Sequence, residues 1–321
     1  MALTFGRSAY IGINKESSYG TANGGSNQSD FAVKNRVFSV SLLRNQERER
    51  TTHLSQSSAA FAVNTFDGFE IAGGTIETPL TYKGLGMLLE CALGESVTTG
   101  SGPSYTHTFN PTDYSSTKSL TIAVQRGTGK SEQFEGCYVS SMSISCSAGE
   151  EARASFEIIA ETATARAAAL AGTPAFGDGA QVFHFQSSTL SYNSNTYKMR
   201  SLELNLDNKL ERVNYLGSKL TSMPSISDVR EVTLTATFDL EDANLYNSQI
   251  SGTSANVEVS FTSGSNQFTI LLRDAEITSY DDAVNSFGRI ERTVTFFGLS
   301  DSTNEALRIE LVNDAASAIS N

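Results

Sequence analysis

Leu42-Leu-Arg-Asn-Gln-Glu-Arg-Glu-Arg-Thr-Thr-His-Leu54 and Leu204-Asn-Leu-Asp-Asn-Lys-Leu-Glu-Arg-Val-Asn-Tyr-Leu216 align without a gap. Leu42/Leu204, Glu49/Glu211, Arg50/Arg212 and Leu54/Leu216 coincide. Further on, Gly149-Glu-Glu-Ala-Arg153 lies over Gly288-Arg-Ile-Glu-Arg292 at a shorter offset, as tighter loops in a second copy would produce. Self-similarity at a fixed spacing marks a duplicated unit. The chain is therefore expected to be mainly β, built from two copies of one module.

The bulk composition agrees. At 321 residues the chain can bury one large core or two ordinary ones. Apolar residues come in short alternating runs separated by Gly, Ser or Asn, which favours strands. The longest apolar stretch, around Leu85 to Leu93, is far shorter than the ~20 residues a membrane helix needs. The opening residues lack a charged region leading into an apolar one, so no export signal is expected. Cys91, Cys137 and Cys146 fit neither a zinc site nor a redox motif and are expected to be free thiols.

Segment by segment, the opening ends in Gly20-Thr-Ala-Asn-Gly-Gly-Ser-Asn-Gln28, too polar for a core, and is expected to form a mobile or partner-ordered arm. Strands are expected at Arg36–Leu43, Gly68–Pro79, Ser104–Phe109, Leu120–Gln125, Gln133–Ser145 and Ala152–Ala160. Leu85, Leu88, Leu89 and Leu93 have helical spacing, with Gly94 as a stop. The Ala-rich run from Thr162 to Pro174 is expected to be a linker or short helix. The second copy restarts at Val182, with strands at Leu202–Leu206, Val232–Phe238, Val257–Phe261, Phe268–Leu272, Glu276–Tyr280 and Ile290–Phe297. Asp239–Tyr246 stands in the place of the first helix, shorter and more polar. Glu305–Val312 has no evident counterpart in the first copy, and is expected as a strand pairing with a neighbouring subunit or as an edge of its own domain. These limits give an arm (1–35), a first module (36–165), a linker (166–180), a second module (181–312) and a tail (313–321).

No catalytic constellation emerges. Gly127-Thr-Gly-Lys-Ser131 has the ending of a phosphate-binding loop, but position 124 is Val and strand follows, so a hairpin turn is expected. His53, His107 and His184 have no partner at ligand spacing. Asp239-Leu-Glu-Asp-Ala-Asn244 lacks the glycine and distant glutamate of a calcium loop. Neither enzymatic activity nor a cofactor is expected. The charged segments Arg44–Leu54 and Asp207–Leu216 recur in both copies and are expected to project. Within them Arg48, Arg50, Leu54, Leu210, Arg212 and Leu216 are candidates for contacts between subunits or rings.

Two further stretches carry a family resemblance. Ile13-Asn-Lys-Glu-Ser-Ser-Tyr-Gly-Thr21 and Glu77-Thr-Pro-Leu-Thr-Tyr-Lys-Gly-Leu-Gly-Met-Leu-Leu-Glu-Cys-Ala-Leu-Gly94 resemble the opening and the strand–helix segment of long-tailed bacteriophage tail tube (major tail) proteins. The resemblance implies tandem tail-tube-like β-sandwich modules, each with a flanking short helix and a projecting long loop. It further implies trimeric, pseudo-sixfold rings stacked into a tube in the virion tail, after synthesis in the host cytoplasm. The implied partners are other copies of the chain, the tail terminator, the tape measure and the baseplate or tip proteins, with no membrane. The alternative is a β-rich host-binding adhesin, a fibre, or a baseplate structural protein.

Charge fits a conduit. The net charge is -12, with 23 Lys and Arg against 35 Asp and Glu. Tight binding to nucleic acid requires clustered cations that release counterions from phosphate. Double-stranded DNA is therefore expected to pass such a protein without being held.

Overall fold

The computed structural model describes residues 6–50, 64–112, 119–127, 129–166, 168–176, 181–240, 243–284, 287, 289–301 and 305–318. Period-two runs become strands throughout, because side chains of a strand alternate between its two faces. The first half contributes β1 (Tyr10–Lys15), β2 (Val33–Asn35), β3 (Ser39–Val40), β4 (Leu43–Arg50) and β5 (Thr65–Pro79). Helix α1 (Gly86–Leu93) and strands β6 (Gly94–Ser101), β7 (Ser104–Pro111), β8 (Leu120–Arg126), β9 (Lys130–Ser147), β10 (Arg153–Ala160) and β11 (Thr162–Arg166) follow. The second half contributes β12 (Ser188–Tyr192), β13 (Asn195–Tyr197), β14 (Met199–Asp207), β15 (Leu210–Val213), β16 (Ser222–Ile226) and β17 (Glu231–Asp239). It closes with α2 (Asn244–Ser251), β18 (Ala255–Ser263), β19 (Asn266–Asp281), β20 (Glu291–Phe297) and β21 (Leu307–Asn313).

One sheet runs through both halves in the order β4, β5, β10, β9, β14, β17, β20, β19, antiparallel at every step. The short β3 continues the β4 edge along β5. The second four positions repeat the first four. Val40, Ile76, Phe156 and Met142 form one row of cross-strand partners, and Leu202, Ala236, Val294 and Tyr280 form the matching row. The spacing from Val40 to Leu202 equals that from Leu42 to Leu204, so the first sequence alignment holds. The spacing from Phe156 to Val294 is one residue shorter than that from Gly149 to Gly288. The second alignment is therefore displaced by one.

β9 and β19 each serve two layers. β9 pairs with β10 and β14 along its C-terminal half and with β8 and β11 along its N-terminal half. β19 pairs with β20 along its C-terminal half and with β18 and β21 along its N-terminal half. Each is bulged at the crossing, at Ser140 and at Thr278, the residues left out of register opposite β10 and β20. A bulge bends a strand and increases its twist, which is what passage from one layer to the next requires.

The outer layers match as well, and here three expectations are corrected. The segment Tyr10–Lys15, expected in a mobile arm, is a buried strand paired with β8, as β12 is with β18. Its Ile11 and Ile13 alternate into the core, a pattern too short to register beside the polar run that follows it. Thr162–Arg166, expected as linker or helix, is the strand β11 on β9. Its counterpart is β21, which lies on β19 and was expected to have none. β21 is neither an edge nor donated to a neighbour, since its other side carries β7 of the first half, followed by β6.

The halves consequently share one core. Phe156, Ile144, Leu204 and Phe296 of the central sheet and Ile122, Phe134, Val259 and Ile270 of the outer strands are wholly buried in a single cluster. α1 lies within it, with every residue but Glu90 buried, because the β6–β7 extension covers its outer side. Glu90 reaches Lys15 at 2.5 Å. α2 buries only Leu245 against β19, is as long as α1, and begins later than the Asp239 start that the sequence predicts. Both helices stop at a glycine with positive φ, Gly94 at 118° and Gly252 at 63°, a conformation glycine adopts without steric cost.

Candidate functional site

The side of the central sheet turned away from the core is polar and lined with small hydroxyls over β9, β14 and β17, and carries the exposed Leu43, Phe69 and Ile71 at its β4–β5 end. Alternation puts Met142, Ile144, Leu204 and Leu234 inward and Ser141, Ser143, Ser145, Asn205, Thr233 and Thr235 outward. Cross-strand partners form polar rows: Ser155, Ser143, Asn205 and Thr233 in one, Arg153, Ser145, Glu203, Thr235, Thr295 and Ser279 in the next. The Thr235 and Thr295 hydroxyls are 3.2 Å apart and hydrogen-bonded.

This surface is acidic, and among the described residues Arg153, Arg200 and Lys209 on it are each paired. Arg153 contacts Glu77 at 3.1 Å, and Arg200 contacts Asp239 at 2.8 Å and Glu291 at 3.0 Å. Lys209 lies between Asp207 at 2.9 Å and Glu231 at 3.0 Å. Hydrogen bonds from Arg200 lower the pKa of the Asp239 carboxyl from its ordinary value. Glu157, Glu203 and Asp281 add negative charge with no cation to offset them among the described ion pairs. A 570 Å³ groove on this face, between Thr75, Ser143 and Asn205, and a 420 Å³ groove beside Val229 and Val232 contain no aromatic ring.

Two edges of the sheet are open. Among the described residues no strand pairs with the outer side of β4 or with the second side of Glu276–Asp281 in β19. The β4–β5 hairpin carries two of the candidate contact residues, Arg48, 3.5 Å from Asp67, and Arg50, both exposed. Leu54 lies outside the described residues. In the second projection Leu216 is fully exposed and Leu210 packs partly against the core. The half-buried Arg212 turns back on the first half, donating to the main-chain carbonyls of Ala72 and Ala160. The two projections thus share a sequence pattern but differ in setting.

The opening motif does something the sequence did not reveal. The Glu16 carboxylate is buried and accepts hydrogen bonds from the Ser119 and Thr121 hydroxyls and the Gly136 and Gly20 amides, at 2.5 to 3.0 Å. Burial nevertheless pushes its pKa up. Tyr19 stacks on Tyr138 and donates toward the Thr221 and Ser222 carbonyls at 3.1 Å, tying the second projection to the first half. A lone glutamate among polar residues signals a surface, so only the spatial cluster shows it to be structural.

Nothing described resembles an enzyme centre. Gly127 and Gly129 lie in the turn joining β8 to β9. His107 is buried between Thr98 and Asn313 at 2.9 Å each, a satisfied structural residue, and His53 lies outside the described residues. All three cysteines are free and buried, with the Cys91 and Cys146 thiols pushed up to about 12 and about 11 by burial. Thiols so placed are inert. Among the described residues no cluster of three or more His, Cys, Asp or Glu could hold a metal, and no helix is long and apolar enough to cross a membrane.

A search of curated proteins finds no match to the chain. A family model described as "Phage tail tube protein" matches residues 6–297, almost the whole of both halves and of the central sheet. The chain therefore belongs to the phage tail tube proteins, which are structural subunits rather than enzymes.

Proposed function

We propose that this chain is two tandem tail-tube-like β-sandwich modules joined through residues 166–180, and that three chains close into a pseudo-sixfold ring. Rings stack into the tube of the virion tail, and the polar face of the central sheet lines the channel. The observation that carries the reading is a continuous sheet with one hydroxylated, acidic face and two open edges. Open edges invite pairing, and closure into a ring removes them. Three such sheets closed as a barrel measure roughly 50 Å between opposite backbones, whereas two give roughly 30 Å, which side chains narrow too far for a hydrated duplex.

On this reading DNA slides because acids outnumber cations on the channel face and Arg153, Arg200 and Lys209 are held by carboxylates rather than offered to the phosphates. Small hydroxyls keep the wall wet without gripping bases. The projecting segments, with Arg48, Arg50, Leu54, Leu210, Arg212 and Leu216, supply contacts between subunits or rings. Tail terminator, tape measure and baseplate proteins meet the tube at its ends and interior, as in the family. Electron microscopy of the concentrated protein tests the proposal, which requires hollow tubes built of three-chain rings.

A further inference from the structure

The junction between the two halves of one chain is a template for the junction between chains. Where β9 meets β14, Ser141 lies opposite Asp207 and Ser143 opposite Asn205. The Asn208 amide donates to the carbonyl of the bulged Ser140 at 2.9 Å. β19 repeats β9, with its bulge at Thr278, and β4 repeats the end of β14. These two repeats carry the open edges of the sheet. β4 carries Arg44, Arg48 and Arg50 interleaved with Glu47 and Glu49, with Arg44 and Arg48 paired to Glu70 and Asp67 of their own chain, while the other edge carries Glu276, Asp281 and Asp282 along and just beyond it.

We infer that β19 of one copy pairs antiparallel with β4 of a second copy in the register of the internal junction. Transferring the spacing places Ser279 opposite Asn45 and Asp281 opposite Leu43, with the Gln46 amide on the carbonyl of Thr278. The projections then follow. Within one chain Arg212 caps the carbonyls of Ala72 and Ala160, and the Glu70 amide donates to the Lys219 carbonyl at 2.8 Å, so the β15–β16 ribbon fills that seat. The equivalent seat of the second half, beside Val232, is the open 420 Å³ groove, with Val229 77 % exposed at its rim. The neighbour's Arg50, equivalent to Arg212, reaches this seat and donates to the carbonyls of Val232 and Gly298.

This inference rests on the tube reading but can fail separately from it. Directly opposed cross-strand residues have Cβ atoms about 4.5–5.5 Å apart, near disulfide distance, and a shift of two residues separates them to about 7–8 Å, beyond it. The experiment uses the full-length chain with Asn45→Cys and Ser279→Cys, a second variant with Leu43→Cys and Asp281→Cys, and a shifted control with Glu47→Cys and Ser279→Cys. The native thiols are buried and need not be removed. Assembled material oxidised and run without reductant is expected to give covalent dimer and trimer from either matched pair, and at least tenfold less from the control. Tubes in which the control links and both matched pairs do not would overturn the register while leaving the tube intact. A wild-type protein that forms no assembly would overturn the tube reading itself.

Discussion

Arg212, on the ribbon of the second half, donates to the carbonyl of Ala72, in the first half, whereas its repeat equivalent Arg50 is exposed on an open edge. One sequence pattern therefore has two fates within a chain. Arg212→Met should destabilise the folded chain by about 1.5–3 kcal/mol, the usual worth of hydrogen bonds from a charged donor. It should also free the ribbon for proteolysis near Lys219. Arg50→Met should leave the melting temperature of the unassembled chain unchanged and weaken assembly. Chemical denaturation and light scattering on the two variants separate these effects.

The buried Glu16 makes stability depend on pH in a defined direction. Its folded pKa is raised, so between the ordinary glutamate value and the raised one the native state holds more proton than the unfolded chain. Stability contributed by this group is thus present in acid and lost as pH rises through that window. Glu16→Gln abolishes the titration. The melting-temperature gap between wild type and this variant should be widest in acid below the ordinary glutamate value and shrink as pH rises above it. A gap that widens with pH would contradict the assignment.

Positive charge added to the polar face should convert a passive wall into a binding one. Ser143→Lys with Thr235→Lys adds two cations in adjacent rows without touching the core. Wild-type assemblies should retain no duplex DNA in a salt-dependent manner. The variant should retain it with an affinity that falls by about 0.9 decade per decade of salt for each phosphate contact. Filter retention across a salt series reads the slope.

Leu216 is fully exposed on the second projection, which costs apolar hydration unless a partner covers it. Leu216→Ser, and Leu54→Ser on the first projection, should leave the circular dichroism spectrum native and impair polymerisation. Unchanged tube formation by both variants would remove these leucines from the interface.

Much of this fold was legible because strand alternation and repeat spacing are local signals. The Leu42/Leu204 alignment reproduces the pairing register, and the leucines from Leu85 to Leu93 locate the first helix. What escaped depends on partners distant in sequence. β1 is secured by β8, about 110 residues away, and β21 by β7, roughly 200 residues away, so neither position can be read from its own residues. Alternation also shows which residues share a face but not which face is buried. The polar wall of Ser143, Asn205 and Thr235 became identifiable only once the outer strands were placed over the other side.

The central claim is that three copies close their shared sheets into a ring that repeats along a tube. Electron microscopy of the purified, concentrated chain, with end-on views averaged without imposed symmetry, tests it most directly. The account predicts hollow rings of three chains showing six similar lobes around an open channel, stacked in register into filaments. A protein that stays a monodisperse monomer at every concentration, or whose rings contain a number of chains other than three, would contradict it.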